Sequence, residues 1–151
     1  MLDAYHGTGT IWQNVQKQYA GKIKTLKIDK LQKDPCFVMI GDNEKFMESI
    51  DLTRFDVIDL DAYGVPFEQL EIMFRKGWKG LCFVTFIQSV MGILPHEMLK
   101  LLNYPEAAIK DCPTLLGKNG FKKFCNYLFL RGVKKVTVRQ NQRKAYLAFQ
   151  T

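Results

Sequence analysis

The chain has 151 residues, 47% of them hydrophobic and 25% charged. That suits one packed domain and excludes a disordered, collagenous or coiled-coil chain. Net charge is +7 and unevenly spread: from Cys112 to Thr151 there are nine bases and no acid. No apolar run approaches the roughly 18 residues that a spanning helix needs. The start, Met1 to Gly7, has neither the basic nor the apolar region of a secretory signal. Four widely spaced cysteines (Cys36, Cys82, Cys112, Cys125) form no CxxC pair. They read as reduced core thiols of a cytoplasmic protein, with no disulfide frame and no metal site.

In chain order, a first strand ends near Asp3-Ala4, because glycines follow at once. Residues 10–20 form a helix, with Ile11, Trp12, Val15 and Tyr19 at helical spacing. Strands are expected at 22–29 and 36–40, then a brief helix at 43–49. A strongly apolar strand at 55–60 closes on Asp61-Ala62-Tyr63-Gly64. A helix at 66–76 opens on proline, where a missing N–H costs nothing. A buried strand follows at 80–87. Residues 88–117 are harder to read, with helical turns at 95–103 and 105–111. A helix at 120–130 stops at Arg131-Gly132. Strands at 134–139 and 144–149 make a terminal antiparallel hairpin. This α/β alternation predicts one domain over 1–151, a Rossmann-like core with a mainly parallel sheet, helices on both faces and the hairpin at its end. Ligands of such sheets bind beyond the carboxyl ends of the strands, where Asp3 to Gly9, Asp29, Asp42 and Asp61 to Gly64 converge.

Four constellations carry chemistry. Gly7 and Gly9, between a strand and a helix, let backbone approach a ligand closely; a bland tight turn is the competing account. Asp29 ends a strand 20 residues after Gly9, placed to accept from the two hydroxyls of a ribose; a surface acid is its competitor. Asp42 could meet an adenine amino group or equally cap the short helix. The most specific stretch is Phe55-Asp56-Val57-Ile58-Asp59-Leu60-Asp61-Ala62-Tyr63-Gly64-Val65-Pro66. Asp59 and Asp61 point to one side of an extended segment. Acids at an apolar strand end cost free energy unless ligands or hydrogen bonds use them.

This order of motifs resembles the class I S-adenosylmethionine-dependent methyltransferases. The 56–66 stretch is most similar to the tRNA guanine-N2 dimethyltransferases, whose catalytic loop reads D-P-F-G, and also to the D-P-P-Y loop of enzymes that methylate adenine. The resemblance spans nearly the whole chain, but only 56–66 is specific. It implies S-adenosylmethionine as cofactor, with Gly7 and Gly9 at its methionine part, Asp3 orienting that loop, Asp29 on the ribose, Asp42 on the adenine and Asp59 beside them. Asp61, Tyr63 and Gly64 would form the catalytic loop: Asp61 accepts from the substrate amine and Tyr63 stacks on the target base. Two departures stand out. Ala62 holds the family's proline position. The chain begins on the first strand, with only Met1 and Leu2 before Asp3, whereas relatives carry a covering segment there; the expectation is either a stripped core or a second copy or partner subunit on that open side.

The basic C-terminal segment points to nucleic acid, RNA or DNA, through Lys118, Lys122, Lys123, Arg139, Arg143 and Lys144. A solvated basic tail is the competing account. Two further functional readings stay open: a non-catalytic methyltransferase-fold module that binds nucleic acid, and a methyltransferase of small molecules or proteins. His6 reads as a solvated loop residue, His96 as structural or exposed, Trp12 and Trp78 as core or helix-packing residues, and Phe86, Ile87 and Met91 as apolar core, with the substrate side after strand five as the competing account. Ser89 lacks a GxSxG context and no P-loop occurs. Trp12 at the third glycine position of GxGxxG argues against a dinucleotide.

Overall fold

The computed structural model describes residues 1–31, 37–88, 92–141 and 144–151. Its strands are β1 (Leu2–Asp3), β2 (Leu26–Asp29), β3 (Met39–Ile40), β4 (Val57–Leu60), β5 (Leu81–Ile87), β6 (Val136–Asn141) and β7 (Lys144–Gln150). They form one sheet in the order β3-β2-β1-β4-β5-β7-β6. The first five are parallel; β7 runs antiparallel to both β5 and β6. The expected mainly parallel sheet with a terminal hairpin is therefore present, and the hairpin joins the sheet through its second strand. Cys36, Ser89, Met91 and Arg143 lie outside the described residues.

Register and alternation divide the sheet into two unlike faces. Leu2, Ile58, Leu60, Cys82, Val84, Phe86, Ala145, Leu147 and Phe149 point to one side and are buried. That side is covered by α2 (Asn43–Ser49), α3 (Phe67–Arg75) and α7 (Gly120–Leu130). Met47, Leu70, Met73, Phe124, Tyr127 and Leu128 from these helices complete the core. Aromatic rings lock α7 down: Phe124 lies 5.1 Å from Phe86, and Tyr127 lies 5.3 Å from Phe67. The Tyr127 hydroxyl donates to Glu71, which also pairs with Arg131.

The crossover from β5 to α7 holds α4 (His96–Leu101), α5 (Glu106–Asp111) and α6 (Pro113–Leu116). The last was not apparent in the sequence. Gln88 pins this excursion to the end of β5, its Nε2 donating to Gly92 O at 2.8 Å and Gly117 O at 2.5 Å. A Cβ on Gly117 would lie 1.6 Å from Gly92 O, so only glycine fits there.

On the other face, one register row reads Lys27, Asp3, Asp59, Phe83, Ala148, Thr137. Helices on both faces were expected, and this face holds α1 (Thr10–Gln18). None of its residues is buried, and Ile11, Val15 and Tyr19 are exposed. The apolar residues whose spacing marked this helix thus lie largely in solvent. Trp12 alone reaches the sheet, its ring 5.8 Å from Phe83. Cys112 is exposed and Cys125 half-buried, which corrects the reading of the thiols as core; Cys82 is buried.

Candidate functional site

β1 and β4 are neighbours although α1, β2, β3 and α2 separate them in sequence, and the strand order reverses between them. A pocket of about 450 Å³ opens there, lined by the β1–α1 turn, the end of β2 and the loop after β4. The turn is built by its glycines. Gly7 has φ 57° and Gly9 φ 70°, the left-handed region that costs side chains most. Gly9 N–H donates to His6 O at 2.9 Å, and Gly9 caps α1.

Asp3 and His6 hold this turn from below. His6 Nδ1 lies 2.7 Å from Asp3 Oδ2, and both residues are buried. His6 is therefore a structural partner of Asp3, which corrects its reading as a solvated loop residue. The i,i+3 spacing of an acid and a histidine was the available signal. Asp29 accepts from Gly7 N–H at 2.7 Å and from Leu31 N–H at 3.0 Å, joining the end of β2 to the glycine turn.

Asp59 and Asp61 both line the pocket, as their spacing required. Burial raises the Asp59 carboxyl to about 7, with the charges of Asp3 and Asp61 adding to the shift and the hydrogen bond from Trp12 opposing it. Asp3 is raised as well, chiefly by burial. Trp12 Nε1 donates to Asp59 Oδ2 at 2.5 Å and lines the pocket, so Trp12 packs its helix on the sheet and is not a core residue. Trp12 projects from the first turn of α1, three residues beyond Gly9, where the helix faces the strand ends. Close helix–strand approach would need glycine there; tryptophan instead bridges the gap.

Asp42 does not line the pocket. It caps α2, accepting from Glu44 N–H at 2.9 Å. Its neighbour Asn43 is the pocket residue: its Nδ2 donates to Ala4 O at 2.9 Å, and its Oδ1 accepts from buried Gln69 at 3.0 Å. The sequence offered no sign that the second residue of the pair would face inward.

The β4 loop carries Tyr63 out to solvent, 98% exposed. Gly64 follows at φ 124°, and its carbonyl accepts from Ile87 N–H at 3.1 Å, tying the loop to the end of β5. Ala62 N–H donates to Leu60 O at 2.9 Å, a bond that proline could not make. Compared with protein-family models and with curated proteins, the sequence matches none.

Of the basic residues, Lys144 meets this site directly: its Nζ lies 5.6 Å from the centroid of the Tyr63 ring. Arg139 lies on the open face opposite Tyr146. Lys122 and Lys123 lie at the start of α7, in the helical layer on the other face, with Lys118 in the turn before it, and Lys123 sits over Tyr104. The five expected bases among the described residues thus do not form one patch. The chemistry available in the pocket is that of carboxylates: Asp3, Asp29, Asp59 and Asp61, against one lysine, Lys30. No group of three or more His, Cys, Asp or Glu side chains able to hold a metal occurs among the described residues. No helix among them is long and apolar enough to cross a membrane.

Proposed function

We propose that the chain is an S-adenosylmethionine-dependent methyltransferase acting on an exocyclic amine of a nucleic-acid base. The observation that carries this reading is the donor set of the pocket. A glycine turn and four carboxylates surround about 450 Å³, within the roughly 300–1,000 Å³ of small-molecule sites. Carboxylates in excess favour a ligand with fixed positive charge, such as a sulfonium with an ammonium, and repel a pyrophosphate. Burial of Asp59 without a counter-cation leaves a carboxyl that a cationic ligand would ionise.

In this reading Gly7 and Gly9 lie along the methionine part and Asp29 accepts from the ribose hydroxyls. The cofactor supplies a methyl group already activated by positive sulfur. The chain's own residues align and exclude. Asp61 accepts a hydrogen bond from the substrate amine, directing its lone pair inward, and offsets the positive charge that develops on nitrogen. Tyr63, exposed at the mouth, stacks on the base. A base in a duplex must first leave its stack, so an unpaired one is the easier substrate. The nucleic-acid part of the reading rests on Lys144 over Tyr63 and on the acid-free C-terminal segment.

The test is calorimetric titration of S-adenosylmethionine and S-adenosylhomocysteine into the wild type and Asp29→Ala. The expected result is binding to the wild type that Asp29→Ala loses. A folded wild type that gives no heat with either ligand would remove the reading. Ala62 in the family's proline position favours a second reading, a module that binds without catalysis. Cofactor binding with no methyl transfer to RNA or DNA would select it.

A further inference from the structure

The open sheet face continues past the pocket onto the hairpin, where Arg139, Lys144 and Gln150 are exposed. On β7, Ala145, Leu147 and Phe149 are buried in the core, so Lys144, Tyr146, Ala148 and Gln150 point the other way. Their β6 partners are Asn141 for Lys144, Arg139 for Tyr146 and Thr137 for Ala148. Directly opposed residues share a face, so these side chains form one surface. It is the same face that carries Asp3, Asp59 and Phe83.

Three properties of that surface point to one kind of occupant. It is cationic: Arg139 and Lys144 project from it, and neither hairpin strand holds an acid. It presents an aromatic, since Tyr146 is 40% exposed beside Arg139. It is also continuous with the pocket mouth. Lys144 is registered against Ile87, whose N–H holds Gly64, and its ammonium lies over the Tyr63 ring. Neighbouring side chains on one face of a strand are roughly 7 Å apart, and adjacent strands lie about 4.8 Å apart. A base stacked on Tyr146 would therefore have Arg139 beside it on the adjacent strand and Lys144 along its own strand for its phosphates. Stacking platforms flanked by cations are how unpaired strands are held; a duplex hides the base faces that such a platform needs. Thr137 and Asn141 add hydroxyl and amide groups suited to a 2′-hydroxyl, which favours RNA.

We propose that the open face of β7 and β6 is a track for single-stranded RNA, with a nucleotide flanking the target stacked on Tyr146, its phosphates on Arg139 and Lys144, and the target base passing Lys144 to reach Tyr63. This rests on the base-methylation reading for the fate of the target base. The track itself does not need the cofactor. It also separates the basic residues: Arg139 and Lys144 bind, and Lys118, Lys122 and Lys123 do not.

The experiment is fluorescence anisotropy with a labelled unpaired RNA of about ten nucleotides, without cofactor, alongside the same sequence as duplex RNA and as single-stranded DNA. Tyr146→Ala is expected to weaken binding about tenfold, Tyr146→Phe to retain it, and Arg139→Ala to weaken it and lower the salt slope by about one. Lys79→Ala, an equal loss of charge at the opposite end of β5, is expected to leave it unchanged. Thermal melts of each variant confirm folding. Duplex binding as tight as single-strand binding, Tyr146→Ala binding like the wild type, or Lys122→Ala costing as much as Arg139→Ala would each overturn the track. Single-stranded DNA binding as tightly as RNA would overturn the choice of RNA. RNA binding in a protein that gives no heat with S-adenosylmethionine would leave the track standing and remove methyl transfer. Cofactor binding without RNA binding would do the reverse.

Discussion

The two faces of this sheet differ in how they spend their side chains. On the closed face α2, α3 and α7 bury a continuous apolar layer, and polar atoms there are few and paired. On the open face the central strands carry Asp3 and Asp59, two buried acids side by side in register, and α1 rests on them through one tryptophan. The hydrophobic layer supplies stability, so the opposite face can hold groups that cost stability and suit a ligand.

The contrast breaks most visibly by truncating one aromatic on each side. Phe124 is fully buried between Phe86 and Tyr127. Phe124→Ala should cost about 3–5 kcal/mol, enough to unfold much of the population. Tyr146→Ala, on the open face, should change stability by no more than about 0.5 kcal/mol. Urea unfolding of the two variants measures both. Equal losses would mean that the open face is packed against something in solution.

Asp59→Asn gives the next largest effect. The carboxyl titrates near 3.8 in the unfolded chain and about 7 in the fold. Between those values the native state holds more protons, so wild-type stability falls as pH rises from 4 to 7, and the penalty is full above 7. It amounts to a few kcal/mol, at about 1.4 kcal/mol for each pH unit between the two values. Asparagine carries no charge and its Oδ1 can still accept from Trp12. The variant should therefore melt higher than the wild type at pH 8 and match it near pH 4. Asp3, raised by burial in the same way, leaves a residual slope in the variant. Parallel melting curves across that range would show that Asp59 is not held protonated. The same substitution should weaken S-adenosylmethionine, because the stabilised pocket has lost a charge for it.

What the sequence revealed follows from local physics. Periodicity found β4, β5, α3 and α7, because each buries a full stripe or face. Glycines and the strand-end acids marked the pocket, because only a few residue types make such turns. The rest depended on contacts distant in sequence. Helical spacing is silent about Asp59, 47 residues from Trp12, and loop composition is silent about the buried partner that makes His6 structural. The stripe on α1 located the helix but not its surroundings, because amphipathicity does not say whether a partner is present. Asp42 and Asn43 were misranked for a similar reason: a capping residue and a pocket residue can be neighbours, and the helix phase decides between them.

Trp12→Phe sharpens the comparison from the side of α1. A nine-residue helix with no buried residue is not stable by itself. Besides its caps, α1 is tied by the Trp12 bond to Asp59, the Trp12 edge on Phe83, and Gln16 to Gly21 and Ile23. Phenylalanine keeps an aromatic ring and removes the bond. The expected cost is about 1 kcal/mol, appearing as faster amide exchange over residues 13–18 while α3 and α7 keep their protection. Losing this donor also removes the interaction that opposes burial at Asp59, so the carboxyl should titrate still higher. Unchanged exchange in α1 would mean that the helix is anchored elsewhere.

The smallest effect is expected at Ala62, where the loop leaves the sheet. Proline there would stiffen the unfolded chain, worth about 0.4–1 kcal/mol where the native backbone accepts it. It would also remove the N–H that Ala62 donates to Leu60 O, at about 1 kcal/mol. The two terms oppose each other, so Ala62→Pro should melt within a few degrees of the wild type. Its information lies in the cofactor and RNA titrations made beside the melt. If the loop is already placed by the bond at Leu60 and by Gly64 on Ile87, both affinities stay unchanged, and alanine here is a different way of holding the same turn. If Ala62→Pro gains methyl transfer that the wild type lacks, the native loop is too loose for catalysis, and the wild-type chain is a binder rather than an enzyme.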